Sequence, residues 1–92
     1  MLPDPKYFHI GDNGIYYGLY GGLDYSAGVE DGKVTGTSAD PPPVDAFDQL
    51  FYNHDYTLQQ ATTREERLEA HVDVVRGVYE LVTGTSPHWD IF

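Results

Sequence analysis

Residues 43–56 read PVDAFDQLFYNHDY, and the organisation of the chain turns on this stretch. It follows Pro41 and Pro42 and reads as one helix carrying Asp45, Asp48, His54 and Asp55. Steps of three, four and seven residues return to the same helical face. Asp48 and Asp55 are therefore expected to project together, with His54 beside Phe47, Leu50, Phe51 and Leu58. A histidine set in an apolar stripe, with a carboxylate as its chain neighbour, can serve as a base next to a metal ligand. The same pattern also suits a capped helix with one half-buried histidine.

Downstream, the helix is expected to end near residue 60. Thr62 with Glu65, or Thr63 with Glu66, then makes a capping-box signature that opens a second helix. That helix is expected to run to about Thr83, ahead of Gly84 and Pro87, with Leu68, Val72, Val75, Val78 or Tyr79, and Val82 as its inward stripe. The short connector favours an antiparallel pair. The tail, 84–92, ends in Trp89, Ile91 and Phe92, an apolar cluster suited to a lid over the core or a contact surface.

Upstream, residues 14–28 read GIYYGLYGGLDYSAG, with five glycines among aromatic and aliphatic residues. So much glycine speaks against a helix or strand interior. It predicts instead a tightly wound loop able to turn several carbonyls inward, as calcium with its oxygen ligands requires. An ordinary surface loop is the plainer alternative. Residues 1–13, with Pro3, Pro5 and Gly11, are expected to be an irregular arm, and 29–42 a polar loop or small hairpin.

Composition narrows the function classes. Ninety-two residues suit a single domain, 1–92, with a core at about 14–83. Without cysteine there is no disulfide framework, zinc–thiolate site or thiol nucleophile, which fits synthesis in a reducing compartment. A formal charge of −10 argues against nucleic acid and against attraction to anionic membranes. No apolar run approaches the ~20 residues that span a bilayer, and the N-terminus lacks the basic start and apolar centre of a signal peptide.

Folding the two helices together brings Asp73, nineteen positions after His54, to the imidazole's far nitrogen, while the near nitrogen accepts a proton from water. Glu66, Glu69 and His71 compete for that contact. Asp55 and the loop carbonyls are placed to hold a cation that stabilises an oxyanion.

Asp45-x-x-Asp48-x-x-x-x-x-His54-Asp55, after Pro43-Val44, resembles the active-site helix of secreted phospholipases A2. Tyr17-Gly18-Leu19-Tyr20-Gly21-Gly22-Leu23-Asp24-Tyr25-Ser26 is similar to that family's calcium loop, above all in its plant and viral-capsid branches. The resemblance covers about residues 16–82. It implies a mainly α fold, an antiparallel two-helix core behind a glycine-rich calcium loop. It further implies His54 as the base, Asp73 as its orienting acid and the Gly22 amide at the oxyanion. Calcium would be held by Asp55 and the carbonyls of Tyr20, Gly22 and Asp24. The implied reaction is hydrolysis of the sn-2 ester of a glycerophospholipid at a membrane surface, with Leu19, Leu23, Trp89 or Phe92 at the pocket mouth. Leu50 and Phe51 stand where secreted members carry a cysteine pair, and Leu58 where many carry a tyrosine. The alternative is an inactive relative serving as an interaction module in a phage, viral or bacterial assembly or oligomer, delivered outside the cell or within a virion.

Overall fold

The structure is a computed structural model, described here for residues 1–85. The expected mainly helical architecture is corrected: two helices follow two small antiparallel β-hairpins, a mixed α/β arrangement. Strands β1 (Phe8–Gly11) and β2 (Gly14–Tyr17) pair with Phe8 opposite Tyr17 and Ile10 opposite Ile15. Strands β3 (Tyr25–Ser26) and β4 (Val29–Glu30) form the second hairpin. The first occupies what reads as an irregular arm and loop. Its two-residue connection, Asp12-Asn13 between Gly11 and Gly14, is made of turn-forming residues, with the positive φ of the turn taken by Gly14 at +116°. Glycine content obscures that signal because it raises turn and loop propensity together.

The core lies where the hairpins meet the first helix. Tyr16, Tyr17, Tyr20, Tyr25, Val34 and Phe47 are all buried there. Tyr16 stacks on Tyr25 with ring centroids 4.2 Å apart, while Tyr17 meets Phe47 and Phe51 edge-on at 6.2 and 5.9 Å. Each buried phenol has a polar partner, as burial requires. Tyr17 donates to Asp45, Tyr20 to the Pro41 carbonyl, Tyr25 to the Gly18 carbonyl and Tyr16 to Glu30. Burial, and for Tyr17 the bond to Asp45, pushes the Tyr17 and Tyr20 phenols up to about 12.

Helix α1 (Ala46–Gln60) is capped by Asp45, whose side chain accepts from the Asp48 amide at 2.9 Å. Helix α2 (Arg64–Thr83) opens on the Thr63–Glu66 member of the two possible capping boxes and closes on Gly84 in a left-handed conformation. Leu50 faces Gly77 and His54 faces His71, so the helices run antiparallel. A Cβ at Gly77 would come within 2.8 Å of Leu50, and the missing side chain is what permits this close approach.

The inward stripe of α2 differs from the expectation. Ala70 is buried and Val74, Gly77 and Leu81 are half-buried, whereas Leu68, Val72, Val75, Tyr79 and Val82 are exposed. Among the described residues, no helix is long and apolar enough to cross a membrane. The tail residues proposed as a lid, Trp89, Ile91 and Phe92, lie outside the described residues.

Asp40 ties the 35–40 loop to α1. It accepts from the Tyr52 hydroxyl at 2.5 Å, the Thr35 and Gly36 amides, and the Thr35 hydroxyl. The Tyr52 bond first, with the Thr35 and Gly36 bonds, outweighs burial and holds the carboxyl down at about 2. A carboxylate whose folded pKa lies below its unfolded value of 3.8 contributes stability above that value and loses it as pH falls through the folded pKa. Urea midpoints are therefore expected to drop between about pH 4 and about pH 2. In Asp40→Asn that acid limb should be visibly shallower; an unchanged limb would assign acid sensitivity elsewhere.

Candidate functional site

Asp48 is the structural hinge of the site. Its side chain is 0 % exposed, yet it is fully engaged. One carboxylate accepts from the amides of Leu19, Tyr20 and Val44 at 2.9–3.2 Å, joining the glycine loop and the approach to α1. Gly18, directly before these donors, has φ +59°, and a Cβ there would stand 2.6 Å from the Asp48 carboxyl carbon. Glycine is thus required twice over, by the backbone conformation and by the approach of the acid. Asp48 and Asp55 lie on one helical face, and the Asp48 charge adds to what raises the Asp55 pKa, but they take different hydrogen-bond partners.

Asp55 turns to the second hairpin. Its Oδ2 accepts from the Ser26 hydroxyl at 2.6 Å, and its Oδ1 lies 3.9 Å from His54 Nδ1, an ion-pair rather than a hydrogen-bond distance. Burial pushes its pKa above the ordinary carboxylate value, and the His54 and Ser26 contacts offset only part of that push.

The loop and the helix pair meet at one open cleft of about 510 Å³. Tyr20, Gly22, Asp24 and Ser26 line it from the loop and second hairpin, His54 and Asp55 from α1, and His71 from α2. Five of the six residues singled out for chemistry (His54, Asp55, Tyr20, Gly22 and Asp24) are thereby brought together. Asp73 is the exception. It is exposed and lines a separate cavity of about 230 Å³ on the other side of His54. His54 Nε2 instead pairs with His71 Nδ1 at 3.0 Å. Helical geometry explains the difference: Asp73 lies two positions, about 200° of rotation, beyond His71 on α2.

The oxygen donors on the cleft, the Asp55 and Asp24 carboxylates and the loop backbone, are of the kind a hard cation takes. Side chains alone do not suffice: among the described residues, no group of three or more His, Cys, Asp or Glu could hold a metal. A site at Asp55 therefore depends on backbone oxygens, which calcium accepts readily. An anion raised in pKa by burial, facing a cleft walled by Tyr20 and Gly22, is the environment a divalent cation would relieve. Asp24, with φ +52°, already uses its carbonyl to accept from the Asp31 amide at 2.6 Å. Tyr20 and Gly22 line the same cleft.

The apolar wall comprises Leu23, Phe51, Leu58 and Val74, with Lys33 the one fixed positive charge on the lining. Leu23 is exposed at this edge, as expected for a mouth residue. Leu19 is half-buried against Gly28 and does not line the cleft. Three roles were not assigned from sequence: Asp48 as the loop anchor, Ser26 as the Asp55 donor, and Lys33 on the rim. The loop amides that Asp48 holds lie 28 and 29 positions away and the Ser26 hydroxyl 29 positions from Asp55, with no local pattern to mark either contact. No family model matches the chain, and no curated protein or solved structure matches it.

Proposed function

We propose that the chain hydrolyses the sn-2 ester of glycerophospholipids in a calcium-dependent reaction at a lipid surface. The observation that supports this reading most is the shared cleft, where His54 and Asp55 meet a glycine-rich loop and an apolar wall. Asp55 and the Tyr20 and Gly22 carbonyls would hold the ion. When bound, calcium would polarise the ester carbonyl and stabilise the charge developing on its oxygen.

The chain's own residues supply the rest. In the tautomer that donates its Nε2 proton to His71 Nδ1, His54 keeps a free lone pair on Nδ1, the nitrogen nearer Asp55. That nitrogen takes the proton from the attacking water and returns it to the leaving alkoxide. The Gly22 amide serves as an oxyanion donor. Leu23, Phe51, Leu58 and Val74 accept the acyl chain and exclude water, and Lys33 suits the phosphodiester.

The test is release of an sn-2-labelled fatty acid from phosphatidylcholine vesicles, with calcium and with a chelator. Chelator-sensitive release at the sn-2 position is the expected result. Absence of release from both zwitterionic and anionic vesicles would overturn the catalytic reading. A non-catalytic assembly module is the second reading, and it draws support from the exposed outer face of α2.

A further inference from the structure

We propose that His54 and His71 form a two-imidazole clamp for a borderline divalent metal such as zinc, and that the metal, held there, switches His54 off as a base. His54 Nε2 and His71 Nδ1 stand 3.0 Å apart across the helix pair, with ring centroids 5.1 Å apart and planes tilted by 44°. One proton joins the two nitrogens, and a metal can take that proton's place. Zinc–imidazole bonds of about 2.0–2.1 Å put two ligands at a tetrahedral angle about 3.3 Å apart. The nitrogens therefore have to part by only about 0.3 Å, which a small rotation of the rings provides.

The surroundings favour such a clamp. Each ring stands on a capped helix, so binding orders two side chains and no backbone. Both rings line the open cleft and His71 is exposed, so water reaches the remaining coordination positions. Water has to fill them, because among the described residues no third His, Cys, Asp or Glu joins the pair. A metal-bound imidazole usually donates its other N–H to a carboxylate or carbonyl, which fixes the ring. His54 has that neighbour: its Nδ1 lies 3.9 Å from Asp55 Oδ1, and Asp55 is itself held by the Ser26 hydroxyl. Imidazole nitrogen suits zinc, copper and nickel, whereas calcium takes oxygen, so the clamp is chemically distinct from the oxygen donors proposed for calcium.

The consequence for His54 follows from its single proton as a neutral ring. In the tautomer that serves hydrolysis, this proton sits on Nε2 and the Nδ1 lone pair is free. A metal needs the Nε2 lone pair. The Nε2 proton leaves to water and Nδ1 takes one from water, with no net change in the protons His54 holds. Nδ1 then carries a hydrogen and can no longer accept one from an attacking water. This last consequence rests on the hydrolase reading; the binding of the metal does not.

The test is isothermal titration calorimetry of the full chain with zinc chloride in calcium-free buffer. Zinc is expected to bind, with its affinity lowered at least about tenfold in His71→Ala and in His54→Ala. Neither ring belongs to the tyrosine core, so circular dichroism should show both variants folded. His9, which bonds Tyr7 and Tyr25 instead, serves as the control, and His9→Ala should bind zinc as the unaltered chain does. Absence of binding, or an affinity indifferent to both His54→Ala and His71→Ala, would overturn the clamp. In the fatty-acid assay at saturating calcium, zinc should stop turnover, and further calcium should not restore it. Recovery with calcium would place zinc on the calcium ligands and overturn the proton switch. A chain that releases no fatty acid even without zinc would overturn the switch together with the hydrolase reading, while calorimetry still decides the clamp.

Discussion

Asp48→Ala is expected to lower the unfolding free energy by roughly 3–5 kcal/mol, the largest stability loss of any single substitution considered. The reason is a count of orphaned donors. The carboxylate satisfies the amides of Leu19, Tyr20 and Val44, and alanine supplies no acceptor to any of them. Leaving one buried donor unpaired costs about 1–3 kcal/mol. The three share one acceptor, so their losses are not additive. The substitution also leaves a void beside Gly18, where the backbone has no side chain to fill it. Asp48→Asn should fall between, because its amide keeps one oxygen but turns an NH₂ toward the same donors. Urea unfolding at neutral pH measures all three proteins. A loss under ~1 kcal/mol for alanine would show that the loop holds its shape without this acid.

His54→Ala is expected to reduce calcium-dependent ester hydrolysis by about 10²–10⁴-fold, the usual contribution of a positioned base. His54 is half-buried between two cavities and is not part of the tyrosine core, so the variant should keep its far-ultraviolet circular dichroism. The calcium-induced rise in melting temperature should also survive, because the proposed ligands are Asp55 and loop carbonyls. Loss of turnover with retained ion binding separates the base from the cation site. A loss below tenfold would mean that another group takes the proton, and His71, on the same cleft wall, would become the leading alternative.

Legibility followed the range of the interactions. Both helices were readable because capping and termination are local: Asp45 before α1, the Thr63–Glu66 box, and Gly84 after α2 each act within a few positions. The stripe of α1 was readable as well, since Phe47 has one apolar face to bury. On α2 periodicity misled. The helix has two apolar stripes, and the one richer in large side chains, from Leu68 to Val82, faces outward. Small residues such as Ala70 and Gly77 face α1 because they allow the helices to approach closely, and a hydrophobicity pattern gives them little weight. The β1–β2 hairpin had a local signal in Asp12-Asn13, hidden by the surrounding glycines.

By itself, then, the sequence determined two capped helices, the absence of thiol chemistry, and a His54–Asp55 pair downstream of a glycine-rich segment. Only the tertiary structure decided that this segment folds into tyrosine-bearing hairpins, that Asp48 anchors its turn, and that His71 rather than Asp73 meets the imidazole. Caps and turns are set by neighbours along the chain. Which buried amide finds which carboxylate, across 28 or 29 positions, is settled only when packing excludes water and leaves each polar group a single partner.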